Sequence, residues 1–102
     1  MATTDDRSDP GLRTIRPDGQ QQNYLVLSQE ERDKGYVRPV RINYVHIVCG
    51  TETRMPVGCA ETYARKPDFY TGTFCCSCGK HFPLEIDGVR QFKWDDGTGV
   101  GT

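Results

Sequence analysis

Two short segments of matching form constrain the fold of this chain more than any other feature. Residues 46–50 read His-Ile-Val-Cys-Gly, and residues 75–79 read Cys-Cys-Ser-Cys-Gly. In each segment two residues separate the metal-binding side chains, so one tight turn can direct both at a single ion, and the glycine that follows can adopt positive φ. The pair predicts a structural Zn²⁺ site with four ligands, which are His46, Cys49, Cys75 and Cys78.

Other nitrogen and sulfur donors compete for the same ion. A Cys78/His81 pair has the same spacing, but no glycine follows His81, and this choice leaves Cys49 without a partner in its own segment. We therefore favour His46 over His81. Only one residue separates Cys76 from Cys78, an awkward spacing for two ligands of one ion, so we expect Cys76 to be a small hydrophobe or a spare thiol.

Size and composition favour a domain that a metal holds together. The chain has 102 residues, of which 35% are apolar. The core of a small domain supplies only about 3–5 kcal/mol, whereas structural zinc supplies ~10–16 kcal/mol in finger peptides. A disulfide framework is the weaker alternative, because five is an odd number of cysteines and residues 1–9 have no apolar run that would make a signal peptide.

We expect Cys59 to be buried near a helix start.

Composition divides the chain into three parts. Residues 1–23 carry only Leu12 and Ile15 as sizeable apolar groups, so we expect a flexible, extended N-terminal arm. Residues 24–96 should form the core, and residues 97–102, rich in glycine, a loose tail. The expected fold class is a small metal-stabilised β-rich (α+β) domain with short helices.

Within the core, local patterns predict helices and strands. Ser28 and Glu31 form a capping box that begins one short helix, and residues 60–66 have the composition of a second. Residues 36–48 read as an extended segment in which alternate side chains share a face, and residues 51–55 are polar but β-capable.

A hairpin is predicted after the second metal-binding segment. Phe82 and Leu84 alternate with polar residues, Asp87-Gly88 signals a turn, and Phe92 and Trp94 alternate on the return. A two-residue loop would place the second pair of apolar residues on the face opposite the first. We therefore predict a loop of odd length, with Phe82, Leu84, Phe92 and Trp94 on one buried face.

Charge and motifs argue against an enzyme or a general nucleic-acid coat. Four good ligands leave no open metal position, and no phosphate loop or Ser/His/Asp order is present. The net charge is −1. Residues 36–66 nevertheless carry a local excess of basic residues that could form a small basic face. These residues are Arg38, Arg41, Arg54, Arg65 and Lys66.

The two metal-binding segments resemble the knuckles of zinc-ribbon proteins, with His46 in place of the usual first cysteine. We call residues 46–50 the first knuckle and residues 75–79 the second knuckle. The stretch from Leu27 to Trp94 also resembles a group of small proteins encoded by bacteriophages and by prophage-bearing bacteria. The resemblance lies in residues 27–41, 60–70 and 73–78. It implies a phage origin and a metal at the four predicted ligands, and it assigns no activity.

Two functions are compatible with these features. The first is a non-enzymatic accessory structural or assembly protein of a phage virion, which binds other protein subunits through its N-terminal arm. The second is a zinc-ribbon adaptor that binds nucleic acid or a host polymerase through the basic residues. Either role places the chain in a virion or in the bacterial host cytoplasm, without a membrane partner.

Overall fold

Residues 2–102 are described by the computed structural model, and they form nine short strands, two α-helices and one 3₁₀ turn. The strands are Ala2–Thr4 (β1), Asn23–Leu25 (β2), Asn43–His46 (β3), Glu52–Arg54 (β4), Gly72–Cys75 (β5), Lys80–Pro83 (β6), Glu85–Ile86 (β7), Val89–Arg90 (β8) and Phe92–Trp94 (β9). The helices are Gln29–Arg32 (α1) and Val57–Arg65 (α2), and the 3₁₀ turn is Pro10–Leu12. The radius of gyration is 13.1 Å, as expected for a compact domain of about 100 residues. The expected small β-rich domain with short helices is confirmed.

The central sheet has the strand order β4-β3-β9, with both pairs antiparallel. In this register Tyr44 lies opposite Trp94, and His46 lies opposite Phe92. All four side chains are buried. The predicted alternation therefore holds in the middle of the segment, but the strand is shorter than residues 36–48, and Val48 is 75% exposed.

Helix α2 covers this sheet with its apolar face. It begins at Val57 rather than at the expected Ala60, because Pro56 occupies the N-cap position with the extended ψ of 148° that precedes a helix. Tyr63 packs edge-on against Trp94 with ring centroids 5.3 Å apart. Cys59 is buried on the same helix, as predicted. Burial of this face fixes the helix against the aromatic centre of the sheet.

Helix α1 is attached to the outside of α2. The Ser28 hydroxyl accepts a hydrogen bond from the Glu31 N–H at 3.2 Å, which confirms the predicted N-cap. Gly35 follows the helix with φ of 107°. Arg32 joins Glu61 of α2 in an ion pair of 2.5 Å. Neither α1 nor α2 has the length and apolar run that a membrane-spanning helix needs.

The predicted register of the hairpin after the second knuckle is wrong. Strands β7 and β8 are joined by a two-residue turn at Asp87-Gly88, where φ is 51° and 78°, so Ile86 pairs with Val89. Strand β9 then leaves this hairpin and pairs with β3, while β6 pairs with β5. Because Phe92 and Trp94 belong to another sheet, the hairpin register does not decide which face they occupy. Their predicted burial is nevertheless correct.

The N-terminal residues are folded onto the core rather than extended from it. Strand β1 pairs with β2 in parallel, and the Val26 N–H donates to the Thr4 carbonyl oxygen at 2.9 Å. The Asn23 side chain donates to the Asp9 carboxylate at 3.1 Å. The low apolar content from which we predicted an extended arm is thus compensated by backbone and side-chain hydrogen bonds to the start of the core. Met1, part of that predicted arm, lies outside the described residues.

The C-terminal residues are also packed, which differs from the loose tail that we predicted. Val100 is fully buried, and its N–H donates to the Phe92 carbonyl oxygen at 3.1 Å. Arg41 donates to the Thr98 hydroxyl at 2.7 Å and to the Thr102 carbonyl oxygen at 2.9 Å. The tail therefore covers the outer edge of β9, and one buried guanidinium holds it there.

Candidate metal centre

Two turns of the same construction carry the candidate ligands. The first knuckle follows β3, and the Gly50 N–H donates to the His46 carbonyl oxygen at 2.7 Å. The second knuckle follows β5, and the Gly79 N–H donates to the Cys75 carbonyl oxygen at 2.9 Å. Both glycines lie in the left-handed region, with φ of 73° and 67°. The positive φ predicted for both glycines is confirmed, and each turn directs its two ligand side chains to one side.

The structure brings the four predicted ligands into one cluster. One ligand atom from each of His46, Cys49, Cys75 and Cys78 lies within 4.8 Å of all the others. The Cys49 and Cys75 sulfurs are 3.5 Å apart, and the Cys78 sulfur is 3.7 Å from His46 Nδ1. Zn–S bonds of ~2.3 Å at tetrahedral angles require sulfur–sulfur distances of about 3.8 Å. The four residues can therefore hold a metal ion with little movement.

Charge also favours a cation between these sulfurs. The N–H and then the hydroxyl of Thr51 lower the pKa of the Cys49 thiol to about 6. The neighbouring Cys75 sulfur, together with partial desolvation and the Cys49 sulfur, raises the pKa of Cys78 to about 11. Closely spaced sulfurs thus resist joint ionisation, because each thiolate disfavours the next. A divalent cation would remove this repulsion by stabilising all three thiolates.

The His46 ring is held by packing rather than by a hydrogen bond. It packs against the rings of Phe82 and Phe92, with centroid distances of 4.6 and 4.9 Å, and those two rings are 6.4 Å from each other. Its Nδ1 faces the cluster, whereas its Nε2 is buried without a hydrogen-bond partner among the described residues. Histidine ligands usually donate their second ring N–H to an acceptor. Here two aromatic rings fix the orientation of the imidazole in place of that acceptor.

The cluster lies at the surface of the fold. His46 and Cys75, at the ends of β3 and β5, are buried, whereas Cys49 and Cys78, in the turns, are exposed. An ion at this position would join the central sheet to the separate β5-β6 sheet. That connection is the structural effect that this geometry can provide.

The competing donors lie outside the cluster. His81 Nε2 is hydrogen-bonded to the Tyr24 hydroxyl at 2.9 Å, and burial lowers the pKa of His81. The Cys59 sulfur is buried, where desolvation raises its pKa to about 11. Cys76 is exposed, and its sulfur contacts the Thr53 hydroxyl at 3.3 Å. Of the two roles considered for Cys76, the structure supports the spare thiol rather than the small buried hydrophobe.

The predicted basic face is only partly available to a ligand. Arg41 is buried against the C-terminal residues and lies 4.8 Å from the centre of the Trp94 ring. Arg65 is directed toward Glu31 at 3.7 Å and toward the Gly35 carbonyl oxygen. The remaining exposed basic residues of this segment are Arg38, Arg54 and Lys66.

Sequence reasoning missed three contributors to this centre. Thr51 lowers the pKa of a ligand thiol, and Phe82 and Phe92 position the imidazole. Thr51 could have been noticed as a hydroxyl just beyond the first knuckle. The two phenylalanines could not, because the contact of Phe92 with His46 depends on the pairing of β9 with β3, and that of Phe82 depends on where the β5-β6 sheet lies against the central sheet.

Comparisons of the chain with protein-family models, with curated proteins and with solved structures give no match. The resemblance to zinc ribbons and to phage-encoded proteins therefore stays a prediction. Inference of a function rests on the centre and its surroundings.

Proposed function

We propose that this chain is a non-enzymatic, zinc-stabilised accessory protein of an assembly, and that the metal serves its fold. The observation that carries this proposal is the cluster of one imidazole nitrogen and three sulfurs, within 4.8 Å of one another, at the junction of two sheets. Four protein ligands fill a tetrahedral zinc site and leave no position for a reacting water. No carboxylate belongs to this cluster in the described part of the chain.

Zinc is the metal that this donor set fits best. Thiolates and imidazole in a tetrahedral arrangement are typical of structural zinc, whereas magnesium and calcium require oxygen donors. The chemistry that zinc supplies here is charge neutralisation and cross-linking. His46 and Cys75 orient the site from their strands, and Thr51 stabilises the thiolate of Cys49.

Metal content tests the site directly. The adjacent pair Cys75 and Cys76 supplies matched variants, because only the first belongs to the cluster. We expect about one zinc per chain in the wild type and in Cys76→Ser, and loss of zinc with a less stable core in Cys75→Ser. Zinc retained at full stoichiometry by Cys75→Ser would contradict the assignment.

The assembly role rests on the surface that the N-terminal residues help to build. Together with residues from the segment 66–72, they line a groove of about 630 Å³. Arg7, 5.8 Å from the centre of the Phe69 ring, has no ion-pair partner within residues 2–102. A groove with aromatic walls and an unpaired cation is suited to a protein partner. The resemblance to phage-encoded proteins supports a virion as the assembly.

The adaptor function is the second candidate. Arg38, Arg54 and Lys66 are exposed and could contact phosphate groups. Burial of Arg41 removes one of the five basic residues on which this alternative depended, and the net charge of −1 offers no broad attraction for nucleic acid.

Two measurements separate the candidates. Mass spectrometry of purified phage particles from the source should detect the chain at a fixed ratio to the capsid or tail subunits. An Arg7→Ala chain should bind its assembly more weakly than wild type while keeping its zinc. The adaptor function replaces this proposal if the chain is absent from particles and binds DNA at physiological salt in a manner that requires Arg38 and Arg54.

A further inference from the structure

Residues 14–22 form a closed loop, which we call the N-terminal loop. The Arg16 N–H donates to the Gln20 carbonyl oxygen at 2.7 Å, and the Gln22 N–H donates to the Thr14 carbonyl oxygen at 2.8 Å. Gly19 lies at the tip with φ of 90°, and its N–H donates to the Arg16 carbonyl oxygen at 2.9 Å. The loop therefore has a defined shape, and Gly19 lies at its tip.

The tip of this loop lies directly on the second knuckle. A Cβ atom placed on Gly19 would overlap the Gly79 carbonyl oxygen and lie 2.7 Å from the Gly79 carbonyl carbon. A Cβ atom placed on Gly79 would lie 3.7 Å from the Asp18 carbonyl oxygen. The contact is thus made backbone to backbone, and only glycine at position 19 permits it.

A second contact holds the base of the loop to the strand that follows the same knuckle. The Gln21 N–H donates to the Tyr24 hydroxyl at 3.3 Å, and that hydroxyl is 2.9 Å from His81 Nε2. His81 belongs to β6, which begins directly after Gly79. Both contacts therefore depend on where the second knuckle places the chain.

The position of Gly79 depends in turn on closure of the knuckle around an ion. Gly79 follows the ligand Cys78, has φ of 67°, and is hydrogen-bonded to Cys75, the other ligand of this turn. An ion bound by both Cys75 and Cys78 would fix the two ends of this turn, and with them the position of Gly79. The surface under the loop is therefore the part of the second knuckle that a bound ion would hold closed.

We propose that the N-terminal loop docks on the zinc-closed second knuckle, so that zinc occupancy and loop docking are thermodynamically linked. Loss of zinc releases residues 14–22 from the core, and release of the loop weakens zinc binding by the same factor, because linkage is reciprocal. This inference rests on the zinc-stabilised function proposed above. It adds a means by which zinc decides whether the N-terminal residues lie against their own core or are free to reach a partner.

The test compares Gly19→Ala with Gly97→Ala in the full chain. The two glycines have nearly equal φ, 90° and 88°, but a Cβ on Gly97 meets nothing within 4 Å. Both variants therefore carry the same backbone strain, and only Gly19→Ala loses the contact with the knuckle. Hydrogen exchange followed by mass spectrometry reports docking of residues 14–22, and competition with a chelator reports zinc affinity.

We expect zinc-loaded wild type and Gly97→Ala to protect residues 14–22 equally. Gly19→Ala should still bind one zinc. Its amide hydrogens in this loop should exchange about tenfold faster than in wild type, and its zinc affinity should be lower by a factor of about five or more. Tyr24→Phe, which removes the hydroxyl at the base of the loop, should shift both measurements in the same direction. Because Tyr24 contacts the loop at its base rather than at its tip, agreement between the two variants would show that the result is not specific to the Gly19 substitution.

Two results overturn the inference alone: unchanged loop protection in Gly19→Ala, or faster exchange in the loop without any change of zinc affinity. A wild-type chain that binds no zinc overturns this inference together with the proposed function. The zinc stoichiometry of wild type thus distinguishes the two failures.

Discussion

His46 is the ligand whose surroundings are most unusual. Its ring packs against Phe82 and Phe92, and its Nε2 has no acceptor among residues 2–102. Contacts with two aromatic rings restrict the rotation of this buried imidazole, so packing takes the place of the hydrogen bond that orients most histidine ligands. The choice between His46 and His81 therefore has a steric basis in addition to spacing.

Substitution of each histidine in turn tests whether His46 or His81 is the fourth ligand. His46→Ala should lower zinc affinity by about 100-fold or more, because one of four ligands is lost. His81→Ala should keep one zinc at near wild-type affinity, since His81 contacts Tyr24 instead of the cluster. Titration of the metal-free variants with zinc and a chromophoric chelator measures both. The reverse pattern would assign the fourth ligand to His81.

The ligand thiols make zinc binding dependent on pH. In the metal-free protein at pH 7, the Cys49 thiol, with its pKa lowered to about 6, is mostly ionised, whereas the Cys78 thiol, with its pKa raised to about 11, retains its proton. Zinc must displace at least that proton. The apparent affinity should therefore rise about tenfold or more per pH unit from pH 7 to pH 9.

Below about pH 6 the dependence should become steeper, because the Cys49 thiolate is then protonated as well. Competition titrations with a chelator of known proton affinity measure the slope. An affinity that stays constant between pH 7 and pH 9 would mean that Cys78 does not bind the ion as a thiolate.

At the scale of single elements, strand β9 organises the core. Trp94 packs against Tyr44 and Tyr63, and Phe92 packs against His46, so one strand of three residues serves both the core and the metal centre. The C-terminal residues cover its free edge through Val100. No pattern local to residues 92–94 reveals this double role.

Removal of the Trp94 side chain should be costly for that reason. Trp94→Ala should lower the free energy of unfolding by about 3–5 kcal/mol, as large aromatic truncations in cores do. Val89→Ala, at a position that is 61% exposed in the neighbouring β8, should change it by about 0.5 kcal/mol or less. Urea denaturation of the zinc-loaded proteins gives both values. Equal stability of the two variants would show that β9 does not hold the core.

The sequence allowed prediction of features that depend on neighbouring residues. The capping hydrogen bond at Ser28, the glycine conformations at Gly50 and Gly79, and the clustering of four ligands all follow from short spacings. The register of the hairpin at Asp87-Gly88 was predicted incorrectly, because β9 pairs with a strand far away in the chain. Buried apolar residues show only that a strand has an inner face, and they do not identify its partner.

At the scale of the whole molecule, both ends of the chain are built into the fold. The N-terminal residues form β1 and the N-terminal loop, and the C-terminal residues are held by Arg41. Composition alone predicted loose ends, since few apolar residues occur there. Backbone hydrogen bonds and the guanidinium groups of Arg41 and Arg90 hold these ends in place, and such interactions leave little trace in composition.

Zinc removal should affect the entire fold. Because an ion in this cluster would join the central sheet to the β5-β6 sheet, zinc at about 100 times its dissociation constant should stabilise the chain by about 2.7 kcal/mol. That stabilisation corresponds to a rise in Tm of about 10–20 °C for a domain of this size. Thermal scans with chelator, and with zinc restored, measure the difference. Magnesium serves as the control, and an identical Tm in all samples would exclude a structural ion.

The exposed positions of Cys49 and Cys78 bear on how quickly an ion could leave the centre. An incoming ligand could reach an ion bound there from the solvent side and form a mixed complex before His46 or Cys75, the two buried ligands, dissociates. Replacement of this kind avoids a bare ion and does not require the domain to unfold first. High equilibrium affinity and a short residence time are therefore compatible here, and the chain could give up its zinc to a stronger thiol acceptor far faster than its affinity alone would indicate.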